Sequence, residues 1–414
     1  MRKKTFIIFL LLYSAASKSG NVIDYSLHVP PEYEVKIDNR STAKLNASLT
    51  GNAPTRFGVS ESLWTDFADA TRHRIITALD SLLSGIDRQS MDTTLIDRDN
   101  YDFNRYFFSY LRNIESKDTV RHYFKGQLIN LYPIAPAQYS LTLLYANNGE
   151  IGRIYTFIAK DDNGKFVFSS PVKYNTQHWK TTAADSITIY YPDTINLERA
   201  REFDRKNVLM ASKFNLPVKD FEMYMCRNYQ EVLQLQGCLY ESGRNGVVNE
   251  GDIIDPKTLF SIKDDEDFSH DVLHMYAAHI RGKVRNRAAE EGLAYLWGNA
   301  YWYIDGIGKI PDQPEMVAAL RQYLAEHSEA DLLNLFDESP YVLTEYGYPK
   351  PVYLKYIIAG VICEAIEKQK GVSAIMELIK CGLTEDDFFK ATDKLININR
   401  NNFDVKVRKL LSAQ

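Results

Sequence analysis

Two histidines four positions apart and a glutamate downstream of them are the residues best suited to chemistry. His270 and His274 stand in the sequence SHDVLH, and Glu291 stands directly before the sequence GLA. Histidines with this spacing on a helix project from one face, one turn apart. Two imidazoles and a carboxylate are common zinc ligands. The pattern therefore predicts a zinc site whose third ligand, Glu291, comes from a second helix.

The residue after the first histidine is ordinarily a glutamate that acts as a general base in helices of this kind. Here it is Asp271, which carries the same carboxylate on a side chain one methylene shorter. A base must lie within about 2.6–3.2 Å of the proton that it takes, and small misplacements can cost on the order of a hundredfold in rate. The substitution leaves catalysis open and affects metal binding less. A third histidine, His279, points off the ligand face, and we interpret it as structural or solvent-facing.

The beginning of the chain predicts export. Residues 1–17 of the 414 consist of a basic start, an apolar run and small residues, which is the order of a secretory signal peptide. The apolar run is too short to span a bilayer. We therefore expect a periplasmic or secreted protein with no transmembrane segment in the mature chain. The net charge of −5 and the lack of a basic stripe argue against nucleic acid as a partner.

The four cysteines leave their redox state open. They are Cys226, Cys238, Cys363 and Cys381. An exported protein permits disulfides, and the pairings closest in sequence are Cys226 with Cys238 and Cys363 with Cys381. Unpaired buried cysteines fit the sequence equally well. Their spacings match no zinc-binding cysteine pattern.

Hydrophobic periodicity divides the chain after the signal peptide into three parts. Residues 18–58 are polar and read as a loose lead-in. In residues 59–178, apolar spacings of three and four predict helices, and later segments rich in Leu, Ile and Tyr predict strands joined by an Asn163-Gly164 turn. Helices followed by an antiparallel meander resemble the cone-shaped nuclear-transport-factor-two-like fold. That resemblance implies an accessory domain, either with a ligand pocket or inert.

The third part, residues 179–414, has a strand, the histidine helix, a loop, a helix with Glu-Gly-Leu-Ala and a helical remainder. From about residue 180 this order resembles the gluzincin metallopeptidases, particularly their peptidase-MA-like branch. The resemblance implies zinc as the cofactor, with His270, His274 and Glu291 as ligands and Asp271 in the place of the base. It also implies that the strand at residues 258–262 is the sheet edge that pairs with an extended peptide.

The resemblance also implies a residue that stabilises the oxyanion of the reaction, usually a Tyr or His. Tyr346, Tyr348 and Tyr353 lie in the right part of the chain, and the sequence does not choose among them. Tyr295, one turn beyond Glu291, is a candidate to orient a ligand histidine. Any of these tyrosines could equally be a packing residue, because aromatic side chains dominate protein cores.

The sequence thus predicts an α+β protein with an N-terminal cone-like domain of helices and an antiparallel sheet. The C-terminal gluzincin-like domain should combine a small sheet with a mostly helical subdomain. The leading function is an exported zinc-dependent peptidase that acts on extracytoplasmic peptides or proteins. The alternatives are a catalytically inactive binding protein with a peptidase fold, and a structural surface protein without metal. The substrate, the cleavage preference and the oligomeric state stay open.

Overall fold

The residues described in this computed structural model form an α+β structure with two small sheets and a helical C-terminal part. The structure describes residues 58–59, 69–83, 91–116, 125–147, 150–247, 251–253, 257–262, 266–300, 311–348 and 352–413. The predicted signal peptide, residues 1–17, and residues 18–57 of the predicted lead-in lie outside this part of the chain.

The first sheet follows two helices, in the order that the sequence predicts. Helices α1 (Asp69–Leu83) and α2 (Tyr101–Ser116) contribute apolar side chains to one core with the sheet. Four of its strands follow these helices in the chain: β2 (Lys125–Ala135), β3 (Gln138–Asn147), β4 (Glu150–Asp162) and β5 (Lys165–Ser169). Strand β1 (Gly58–Val59), which precedes α1, and a later strand at Cys238–Glu241 complete the described sheet. From β2 to β5 each strand is antiparallel to the next. At the β4–β5 turn both Asn163 (φ 53°) and Gly164 (φ 89°) have positive φ, as a two-residue type I′ hairpin requires.

The second sheet is mixed and begins after the short helix α3 (Val172–Asn175). Its elements, and one strand that leaves it, are β6 (Lys180–Ala184), β7 (Ile187–Tyr191), α4 (Leu197–Phe214), β8 (Phe221–Cys226), α5 (Tyr229–Leu235), β9 (Cys238–Glu241), β10 (Gly251–Ile253) and β11 (Thr258–Ile262). The order in the sheet is β10-β11-β8-β7-β6, and β7, β8 and β11 run parallel. Parallel neighbours need crossover connections, which α4 and α5 supply.

Strand β9 does not join the second sheet but returns to the first and pairs with β4. An aromatic stack adds a second connection, because Tyr190, Tyr224 and Phe260 face one another on adjacent strands of the second sheet. Phe103 of α2 packs on Phe260 with ring centroids 5.7 Å apart. The predicted domain boundary at residue 178 therefore lies just before β6. Strand β9 comes after this boundary in the chain but belongs to the first sheet.

The prediction that β11 is an edge strand is wrong. Strand β10 pairs antiparallel with β11, with Asp252 opposite Phe260, so β10 is the outer strand of the described sheet. A glycine permits this close approach, since a Cβ at Gly251 would meet the carbonyl oxygen of Phe260 at 2.1 Å. An extended peptide that joined this side of the sheet would pair with β10.

The C-terminal part is helical. Its described helices are α6 (Ser269–Arg281), α7 (Arg287–Trp297), α8 (Gln313–Glu326), α9 (Leu332–Glu338), α10 (Leu354–Lys370), α11 (Val372–Ile379), α12 (Glu385–Ile396) and α13 (Phe403–Ser412). Helix α10 lies at the centre, in contact with six of the other described helices. Helix α7 packs tightly on α10 at Gly292, where a Cβ would lie 2.6 Å from the Cβ of Ala359. This contact fixes the position of Glu291, the neighbouring residue.

Among the described helices, none combines the length and the apolar character needed to cross a membrane. The four cysteines are free thiols: Cys226, Cys238 and Cys363 are buried and Cys381 is partly exposed. Of the two interpretations that the sequence leaves open for them, the structure agrees with the unpaired one.

Candidate metal centre

Helices α6 and α7 hold the candidate centre and are anchored at the ends that face it. At the start of α6, the Asn299 side chain donates hydrogen bonds to the Asp267 carbonyl and to the Ser269 hydroxyl. Helix α7 begins at Asn286, whose side chain accepts a hydrogen bond from the backbone of Ala289, as a good N-cap does. Only a short loop, residues 282–286, separates the two helices, so their facing turns lie side by side.

The structure brings the three predicted ligands, His270, His274 and Glu291, together. The Nε2 atoms of the two histidines are 3.2 Å apart. The Oε2 atom of Glu291 lies 3.3 Å from Nε2 of His270 and 3.8 Å from Nε2 of His274. All three candidate ligand atoms lie within 4.8 Å of one another. One nitrogen from each ring and one carboxylate oxygen thus form a small triangle.

The size of this triangle fits one zinc ion. Ligand atoms about 2.0–2.1 Å from a tetrahedral zinc lie about 3.3 Å from one another. The observed edges are 3.2, 3.3 and 3.8 Å. A fourth position would stay free, as is usual when zinc takes part in catalysis. The donor set of two imidazoles and one carboxylate is also one that zinc accepts.

The other nitrogen of each imidazole has a partner that orients the ring. Nδ1 of His270 lies 3.0 Å from the carbonyl oxygen of Asn299, so Nδ1–H donates there. Nδ1 of His274 lies 2.9 Å from Oε1 of Glu290. Such contacts set the tautomer and the ring orientation of metal-binding histidines. Both rings therefore present Nε2 to Glu291.

The electrostatics of the cluster keep Glu291 ionised. Burial would raise the pKa of Glu291, but the hydrogen bond from His270 and the nearby side chains of His274 and Arg285 lower it to about 2. For His270, burial lowers the pKa, but Glu291 and Asp271 outweigh it and the net shift is upward. The side chains of His274 and Glu291 are 19% and 16% exposed, so the triangle is open to solvent on one side.

Asp271 belongs to the same electrostatic cluster. Burial raises the pKa of Asp271, the nearby charge of Glu291 raises it further, and His270 and His274 lower it in part. A carboxyl group whose pKa lies above its ordinary value is better matched to general-base work near neutral pH.

Two arginines and a buried glutamate that the sequence pattern does not predict complete the surroundings. Glu290, whose side chain is 1% exposed, forms ion pairs with Arg281 at 2.6 Å and Arg285 at 3.0 Å. Arg285 also donates a 2.6 Å hydrogen bond from Nη2 to Oε1 of Glu291. Nη2 of Arg285 lies 3.2 Å from both ring nitrogens of His274. The only sequence signal for this layer is the position of Glu290 beside Glu291.

The predicted tyrosines have different surroundings. The ring of Tyr295 packs edge-on against His270, with centroids 5.9 Å apart, and burial raises its pKa. Burial and the charges of Glu315 and Asp312 raise the pKa of Tyr348, and no predicted ligand contributes to this shift. Tyr353, whose pKa a hydrogen bond with another tyrosine raises most, packs on neighbouring tyrosines.

Tyr356, which the sequence does not single out, also lies within the electrostatic influence of a predicted ligand. Burial raises the pKa of Tyr356, and the charge of Glu291 raises it further. Its ring contacts that of Tyr295 at 5.9 Å, so a line of aromatic rings connects His270 to Tyr356. Tyr346, the remaining candidate of the sequence analysis, donates its hydroxyl to Glu326 at 2.6 Å. His279 is exposed, as expected.

In comparisons with known proteins, the chain matches no protein-family model and no curated protein.

Proposed function

We propose that this protein is an exported, zinc-dependent peptidase-like protein that hydrolyses or binds extracytoplasmic peptides. The observation that supports the proposal most is the triangle of Nε2, Nε2 and Oε2 atoms with edges of 3.2, 3.3 and 3.8 Å. His270, His274 and Glu291 would hold the ion. Zinc at such a site supplies a Lewis acid that polarises a carbonyl and makes water more acidic.

The residues around the triangle have distinct roles in this proposal. Asp271 would accept a proton from the attacking water, since its carboxyl group shares the electrostatic environment of both histidines. Tyr356 would donate its hydroxyl to the developing oxyanion, because Glu291 acts on its pKa and its side chain, unlike that of Tyr295, is only partly buried. The peptide would lie along β10, the outer strand of the described sheet, by strand addition.

A catalytically inactive binding protein is the second candidate, and Asp271 is the observation that favours it. An aspartate in place of glutamate shortens the reach of the base by one methylene, although it leaves the ligands unchanged. Such a protein would keep the metal and the peptide-binding strand but would turn substrate over slowly or not at all.

Zinc analysis combined with peptide hydrolysis tests the proposal. Purified wild-type protein should contain close to one zinc per chain and should hydrolyse members of a mixed peptide library. Asp271→Glu should keep its zinc and be more active, on the order of a hundredfold if the shorter base is misplaced. Asp271→Ala should keep the zinc and lose the activity.

Each outcome of this experiment decides between the candidates. Zinc without turnover in both wild type and Asp271→Glu would favour the inactive binding protein. Robust wild-type turnover that falls in Asp271→Glu would show a site adapted to aspartate. Wild-type protein that binds no zinc would refute the proposal and would leave the structural protein without metal.

A further inference from the structure

The buried carboxylate of Glu290 contacts three ionisable side chains. The Glu290 side chain is 1% exposed and meets three groups: Nδ1 of His274 at 2.9 Å, Arg281 at 2.6 Å and Arg285 at 3.0 Å. Burying a carboxylate is costly unless nearby positive charge compensates it. The two guanidinium groups supply that charge on the side of the carboxylate away from its hydrogen bond to the imidazole.

The contacts with the two arginines are ion pairs rather than directed hydrogen bonds. Nε of Arg281, Nε of Arg285 and Oε2 of Glu290 are buried, and none of these atoms has a hydrogen-bond partner within the described residues. The hydrogen bond of Glu290 goes through Oε1 to His274. The arginines therefore hold the charge in place, while the direction of the carboxylate is set by the imidazole.

Arg285 extends the same layer to the third ligand. Its Nη2 atom donates to Oε1 of Glu291 at 2.6 Å, and Oε2 of Glu291 is the oxygen that faces His270 and His274. With one oxygen engaged by the guanidinium, Glu291 presents a single oxygen to the triangle. A zinc ligand set with one oxygen per carboxylate suits tetrahedral geometry.

We infer that Glu290 and Arg285 are positioning residues for the metal centre: Glu290 orients His274, and Arg285 restricts Glu291 to one ligand oxygen. This inference rests on the proposed function, since it concerns the same ligands. Partners of this kind are worth about 10–100-fold in metal affinity. Arg281 is the last residue of α6 and Arg285 lies in the α6–α7 loop, so the loop contributes directly to the site.

The test is a zinc titration of Glu290→Gln against wild type, with competition by a chelator of known affinity. Glutamine keeps the size of the side chain but removes the charge that holds the imidazole Nδ1–H and the arginines. Zinc affinity should fall about 10–100-fold. The spectrum of bound Co²⁺, which reports ligand geometry, should change as well.

A glutamate elsewhere in the helical core provides the matched control. Glu367 accepts a hydrogen bond from Trp297 at 2.9 Å and pairs with Lys213. Glu367→Gln therefore removes a comparable paired carboxylate that contacts neither histidine. Its zinc affinity and its Co²⁺ spectrum should equal those of wild type, which separates positioning from general stability.

A second variant covers the case in which Glu290→Gln does not fold. Glu290→Gln combined with Arg281→Gln removes one negative and one positive charge together, so the cluster keeps its net charge. This double variant should fold and still bind zinc about 10–100-fold more weakly. Wild-type zinc affinity and an unchanged Co²⁺ spectrum in either folded variant would overturn the inference. Failure of wild type to bind zinc would instead overturn the proposed function.

Discussion

The stabilisation of the fold by zinc is the most direct prediction of the ligand geometry. His270, His274 and Glu291 come from two helices that pack on a common core, so an ion that they share should oppose the separation of these helices. A ligand that binds only the folded state at 100 times its Kd adds about 2.7 kcal/mol of stability. The unfolding entropy is about 2.1 cal/mol/K per residue.

The expected shift in Tm follows from the length of chain that unfolds with the site. If residues 45–414, which cluster as one unit, unfold together, zinc should raise Tm by about 3 °C. If residues 179–414 unfold alone, the shift should be about 5 °C, because fewer residues share the same free energy. Differential scanning calorimetry with and without zinc, and after EDTA, measures it.

Two alanine variants on the same helix make this measurement specific. His274→Ala removes one ligand, and two remaining protein ligands rarely hold such a zinc, so the shift should vanish. His279→Ala removes an exposed histidine of the same helix and should keep the full shift. Equal zinc-induced shifts in wild type and His274→Ala would refute the assignment of this ligand.

Two further predictions concern packing and acid stability. Gly292→Ala should destabilise the protein by about 1–3 kcal/mol, since the added methyl group would collide with Ala359. Chemical denaturation measures this loss of stability. A zinc titration of the same variant should show weaker binding, because the collision displaces the neighbouring Glu291. Hydrogen bonds from Arg153 and two tyrosines outweigh burial and lower the pKa of Glu241 below 4.5. The ionised Glu241 therefore stabilises the fold fully above its unfolded-state pKa, and this stabilisation is lost as pH falls through the lower folded-state pKa. Glu241→Gln should remove this pH dependence in denaturation at about pH 7 and about pH 3.

Local patterns account for what the sequence predicts correctly. The spacing of His270 and His274 defines one helix face wherever that helix packs, and Asn163-Gly164 defines a tight turn from backbone preference alone. The helical remainder that the sequence predicts for this part is present as α8 to α13. These features depend on neighbours in sequence, so one chain is enough to predict them.

Contacts between distant segments account for what the sequence does not predict. Strands β6, β9 and β10 have five, four and three residues, too few for a clear alternation, and each exists because a partner strand is already in place. The order of β10 and β11 likewise depends on pairing and not on pattern. Arg285 could not be assigned to the site either, since its contacts depend on how the α6–α7 loop folds.

The charges of the cluster bear on the proposal that it holds a metal ion. Two carboxylates, of Glu290 and Glu291, pair with two guanidinium groups, of Arg281 and Arg285. Both arginines pair with Glu290, and Arg285 engages Glu291 only through Oε1. Oε2 of Glu291 points instead at two imidazole nitrogens, which are neutral ligands near neutral pH when they bind metal. In the proposed function, a divalent cation at the centre of the triangle would bind Oε2 of Glu291, while Arg285 donates to Oε1.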